Sequence, residues 1–142
     1  MELMVRSKIT AALARSAQAT KTKDIDAYMA SVPEDIAPRD QSGKIMTRNQ
    51  IRAGVLREWS TITKTISINE VIDSINVNDN SAIVYTSQQW ERLMLEQNSK
   101  TVDTVLTTLR RRELWRNTSN GWFRYTAENL SGKVFVNGYP YP

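Results

Sequence analysis

The sequence predicts an α+β domain, with helices laid against a bent antiparallel sheet. Three observations lead there. Helical patterning is confined to the chain before about Ile62. From Lys64 onward the chain reads as long strands separated by short polar turns. Helices before strands indicate α+β and not βαβ winding. Finally, the first long strand changes its apolar parity part-way, the mark of a bulge, and bulges bend sheets around pockets.

Ser7 to Lys21 is rich in Ala, a strong helix former, with Ile9, Leu13 and Ser16 or Ala17 on one stripe. Asp24 is a natural N-cap for a short second helix, in which Ile25, Tyr28, Met29 and Val32 share a face. Pro33 ends it, because the residue before proline disfavours helix. Glu34 to Met46 reads as a short strand, a turn at Asp40-Gln41-Ser42-Gly43 and a second short strand. Thr47 with Gln50 forms a capping-box pattern, opening a third helix with Ile51, Val55 and Trp59 on its apolar stripe.

In Lys64 to Val77, Ile66, Ile68 and Ile72 share one parity and Ile75 and Val77 the other, placing the bulge near Asp73-Ser74. Asn78-Asp79-Asn80 turns the chain into Ala82–Leu95. Both faces of that strand are mixed, so the sheet is expected to be covered on each side, by helices around a pocket and by a partner subunit. Glu96 to Lys100 is the next hairpin loop, Val102 to Arg116 the next strand, and Asn117 to Gly121 a turn before Trp122-Phe123-Arg124-Tyr125. About 126–142, with Gly132, Gly138, Pro140 and Pro142, reads as an irregular C-terminal extension carrying at most a short extended piece at Val134 to Val136.

At 142 residues the chain is read as one domain, 1–142, large enough for a sizeable core. A net charge of +4 is mildly basic, but no Lys/Arg run is interleaved with exposed aromatics, so no nucleic-acid partner is expected. The absence of Cys and His removes disulfides, thiol and serine–histidine nucleophiles and imidazole metal sites. Acid–base chemistry is left to carboxylates, Tyr, Lys or water. No metal, cofactor or membrane span is expected. The N-terminus has no signal-peptide core, so the chain reads as cytoplasmic as written and secreted if a leader was removed.

Three stretches carry a family resemblance. Lys23-Asp24-Ile25-Asp26-Ala27-Tyr28-Met29 opens the second helix, Gly43-Lys44-Ile45-Met46-Thr47-Arg48-Asn49-Gln50 enters the third, and Arg112-Glu113-Leu114-Trp115 with Gly121-Trp122 forms the last hairpin. Together they resemble the nuclear transport factor two-like superfamily, in particular the SnoaL-like and ketosteroid-isomerase-like bacterial proteins of unassigned function. The resemblance implies a cone: a curved mixed, largely antiparallel sheet wrapped around the helices, a pocket at its open end, and a homodimer through the sheet. Relatives often carry His where this chain has Arg111. Asp40 falls near the base position of ketosteroid isomerases, but no acid equivalent is found at Thr107-Thr108-Leu109.

Asp40, beside Arg39, is therefore the candidate general base, with Tyr28 or Arg112 assisting; the competing reading is a turn Asp bonding its own backbone. Tyr28, Trp59, Trp90, Arg112 and Trp122 are the candidate ligand-binding residues. Aromatics with a few polar groups line small-molecule pockets, and guanidinium suits carboxylates and phosphates. Plain core for the aromatics, and a solvated or dimer-facing stretch for Arg110-Arg111-Arg112, are the alternatives. Glu91 is a raised-pKa candidate if it faces inward. The expected function is binding of a small hydrophobic molecule in an apolar pocket. An isomerase- or cyclase-like enzyme using an Asp base, and an interaction module with a filled pocket, remain alternatives.

Overall fold

The computed structural model describes residues 1–96 and 100–142. Three helices, α1 (Glu2–Thr22), α2 (Ile25–Ala30) and α3 (Arg48–Ser60), precede five strands, β1 (Ile62–Asn78), β2 (Ser81–Leu95), β3 (Val102–Thr118), β4 (Gly121–Val136) and β5 (Tyr139–Pro140). The strands form one sheet in the order β1-β2-β3-β4-β5. Every described pairing in it is antiparallel, so the largely antiparallel sheet that was expected is a meander, with no parallel pair among the described strands.

The capping signals hold. The Asp24 carboxylate accepts from Ala27 N–H at 3.1 Å, and Lys23 ends α1 in the left-handed region (φ 55°). At α3, Thr47 Oγ1 accepts from Gln50 N–H and Gln50 Oε1 from Thr47 N–H, both arms of the capping box. Arg48 then donates to the carbonyls of Met29, Val32 and Pro33, which binds α3 to the end of α2. Between them the two expected short strands reduce to a single bridge, Arg39 with Ile45, around the Asp40–Gly43 turn.

The predicted bulge lies between Ile72 and Ser74. It rotates the strand so that Ile68 and Ile72 before it, and Ile75 and Val77 after it, all face the helices. The core joins Val5, Ile9 and Leu13 of α1 to Ala82, Val84 and Trp115 of the sheet. Side chains alternate between faces, so the inner face of β2 carries Ala82, Val84, Thr86, Gln88 and Trp90. Arg6 and Lys23, at either end of α1, donate to the carbonyls of Ile72 and Ile62 on β1, an edge strand of the sheet.

Residues 126–136 are not irregular as expected: they are the second half of β4, paired with β3 out to Val105↔Val136. Their polar composition reflects position, since 126–133 are exposed along the strand. Gly132 is a fitted residue there, not a breaker; a Cβ on it would lie 2.6 Å from Leu109 Cδ2. The expected Glu96–Lys100 loop falls partly on 97–99, outside the described residues.

Candidate functional site

Between α1, α2, α3 and the inner face of β3 and β4 lies an open cavity of about 1180 Å³. Small residues of α1 (Ala11, Ala12, Ser16, Ala19) keep the helix from filling it. Tyr28, Val55, Trp115 and Trp122 add apolar and aromatic surface, and Ile36, Pro38 and Met46 of the α2–α3 loop line it too. A hydrogen bond from Tyr125 Oη to Asp35 Oδ1 (2.7 Å) ties that loop to β4. A smaller cavity of about 110 Å³ adjoins it, walled by Trp59, Ile68, Glu70, Gln88 and Trp90. Leu13, Ser16, Tyr28, Val55, Glu58 and Arg124 line both.

A buried ionic cluster stands behind these walls. Glu113 is fully buried; its Oε1 accepts from Trp115 Nε1 at 2.9 Å and its Oε2 from Arg124 Nη1 at 3.1 Å. The same Arg124 nitrogen reaches Glu70 Oε1 at 3.4 Å, and Thr86 Oγ1 donates to Glu70 Oε2 at 2.6 Å. Burial pushes the Glu113 carboxyl up to about 7, and sharing its proton with Glu70 pushes the same way, against the pull of Arg124. For Glu70 burial acts upward as well, but the hydrogen bond from Glu113, then Arg124 and Thr86, outweigh it and hold its carboxyl below the usual value. Below about pH 7 the pair thus holds its proton on Glu113 and leaves Glu70 ionised. Two like charges this close in a dry site do not both ionise readily. Burial opposes the charge on Arg124, but Glu113 and Glu70 more than offset it.

The sequence-nominated residues divide. Tyr28 lines both cavities and meets Trp59 edge to face, ring centroids 5.5 Å apart. Trp59 and Trp90 line the smaller cavity, with Trp90 Nε1 donating to Thr65 Oγ1 and Arg92 stacked over its ring; Trp122 lines the larger. Arg112 is not brought to the site. It is exposed on the outer face, opposite Tyr85 and Glu128, while its neighbour Arg111 lines the larger cavity. A strand turns one residue in and the next out, so an error of one changes the face.

Asp40 also lies apart from both cavity linings, on an exposed turn. Its Oδ1 accepts from Ser42 Oγ (2.6 Å), Ser42 N–H (2.9 Å) and Lys44 N–H (3.0 Å), and these bonds, the Ser42 hydroxyl foremost, lower its pKa. Glu91, of opposite parity to Trp90, is on the outer face. Glu70 and Glu113 were missed. A signal existed for both: Glu70 shares its parity with Ile68 and Ile72, and Glu113 with Trp115, so each puts a charge on an apolar face.

Solved structures share this architecture. A nuclear transport factor 2-like protein from Salmonella enterica superposes at TM-score 0.67, with 16% identity over 92% of this chain and 93% of the other. An NTF2-like protein from Cytophaga hutchinsonii gives 0.65, with 14% identity over 89% and 97%. The fold is the nuclear transport factor 2-like fold. A protein with this fold from Novosphingobium aromaticivorans, provisionally assigned as a scytalone dehydratase, gives 0.72, with 10% identity over 92% and 87%. No family model and no curated protein matches the sequence. The NTF2-like fold is therefore shown by geometry: α1 lies against a bent antiparallel sheet, with a cavity between helices and sheet.

Proposed function

We propose that the chain binds a small, largely apolar molecule in the larger cavity. The observation that carries this reading is the cavity itself: about 1180 Å³ between the helices and the inner sheet face, with aromatic and aliphatic walls. Small-molecule sites are concave and mainly apolar, with a few polar groups fixing orientation. Apolar surface removed from water on binding contributes roughly 25 cal/mol per Å². Titration with 1-naphthaleneethanol, followed by tryptophan fluorescence, tests the reading. Ser16→Phe, at the junction of the two cavities, is expected to weaken binding at least tenfold while the protein stays folded. Unchanged affinity in that variant places the ligand elsewhere and refutes the reading.

A second reading, proton-transfer catalysis, is favoured by Glu70, an ionised carboxylate on the smaller cavity wall beside a protonated Glu113. Glu70 would be the base, the role the sequence offered to Asp40. Deuterium exchange at the carbon next to the carbonyl of 2-tetralone, read by NMR in D2O, tests it. Glu70→Gln should abolish catalysed exchange and Asp40→Asn should not.

The expected homodimer is also part of the proposal. Ile83, Tyr85, Leu106, Leu114 and Phe135 lie on the outer sheet face, which no helix among the described residues covers, and sizeable exposed apolar patches mark interfaces. Light scattering should give a dimer mass, and Leu114→Glu a monomer.

A further inference from the structure

The geometry points to an anionic ligand: an apolar molecule ending in a carboxylate, its head group held by Arg111, with Arg124 also on the cavity wall. This rests on the binding reading above and specifies the chemical class it takes. Among the described residues, Arg111 Nε is the buried side-chain nitrogen or oxygen with no hydrogen-bond partner. No carboxylate lies within 4.0 Å of the Arg111 guanidinium among those residues either. A donor left unmade inside a protein is costly, so a buried Nε is expected to meet an acceptor.

The charges around it favour an anion. Lys8, Arg15, Arg111 and Arg124 are the basic residues lining the cavity; Asp24 and Glu58 are the acidic ones. Asp24 is engaged at the α2 N-cap, and Glu58 acts on Arg92. Glu70 interacts with Arg111 through space, but it is held by Arg124 and Thr86. Below about pH 7, where Glu113 holds its proton, Glu70 and Arg124 neutralise each other, which leaves Arg111 without a carboxylate of its own on the inner face. Nε and one Nη of a guanidinium form a fork that matches the two oxygens of a carboxylate. The apolar walls formed by Tyr28, Val55 and Trp122 suit the body of the same molecule.

Matched pairs of probes decide it: 1-naphthaleneacetate against 1-naphthaleneethanol, and octanoate against octanol, by calorimetry on the full chain at pH 6.0, below the Glu113 titration. The acid of each pair is expected to bind at least tenfold tighter than its alcohol. Arg111→Gln should erase that preference, with the acids losing at least tenfold in affinity. Arg111→Lys, which keeps the charge but loses the fork, should retain only part of it. Arg112→Gln, on the outer face, should leave it intact. Alcohols that bind as tightly as acids, or a preference that survives Arg111→Gln, overturn the anion assignment and leave the apolar-binding reading standing. If neither member of either pair binds, both fall.

Discussion

Glu113 makes stability depend on pH in an unusual direction. Its carboxyl is raised from about 4.5 to about 7 in the folded chain, while in the unfolded chain it titrates normally. Between these values the folded state holds the extra proton, so stability falls as pH rises and levels off above about 7. The difference corresponds to roughly 3 kcal/mol at one kilocalorie and a third per pKa unit. Glu70, lowered in the fold, acts oppositely, but its contribution disappears only as pH falls below the normal carboxylate range. Glu113→Gln removes the titration while keeping the side chain's shape. The amide cannot both accept from Arg124 and donate to Glu70 through one atom, so the variant should be weaker at pH 5 by about 1–3 kcal/mol. By pH 8 most of that gap should close. Urea denaturation from pH 4.5 to 8.5 on both proteins measures this. The reasoning is refuted if wild-type stability is flat or rises between pH 5 and 7, or if Glu113→Gln shows the same slope.

Other expectations concern single contacts. Thr47→Ala removes the acceptor of the α3 capping box and should cost about 1 kcal/mol in denaturant melts. Gly132→Ala forces a Cβ toward Leu109 Cδ2 and should destabilise by about 1–3 kcal/mol, with less effect when combined with Leu109→Ala. Asp40→Asn should leave the affinity for 1-naphthaleneacetate unchanged, because the carboxylate bonds within its own turn outside the cavity lining. A loss of binding in that variant would restore Asp40 to the site.

Much of the fold was legible because its signals are local. Asp24, Thr47 with Gln50, the parity change at Asp73-Ser74 and the turn before Gly121 each act over a few residues, and each appears where it was read. The second half of β4 was not legible. Its Glu128, Asn129, Ser131 and Gly132 look like loop residues, and only the facing strand β3 explains them. The aromatic part of the site was visible through Tyr28, Trp59, Trp90 and Trp122. The ionic part was not, because it depends on which face each strand presents. Arg111 and Arg112 are adjacent in sequence, yet one lines the cavity and the other faces out. Glu70 and Glu113 are brought together from β1 and β3 only by the register of β2 between them.

The two cations that α1 places on β1 matter for how the molecule behaves among its own copies. An edge strand with free carbonyls is a template on which another chain can build. Arg6 and Lys23 occupy two such groups with long, charged side chains, and an incoming strand would have to displace them from Ile72 and Ile62. At the opposite side β4 exposes Glu128, Asn129, Ser131 and Lys133, a polar border, and β5 pairs beyond it with Phe135 and Val136. The sheet is guarded at both margins, so strand addition by another copy is disfavoured without any element laid across the mouth of the cavity.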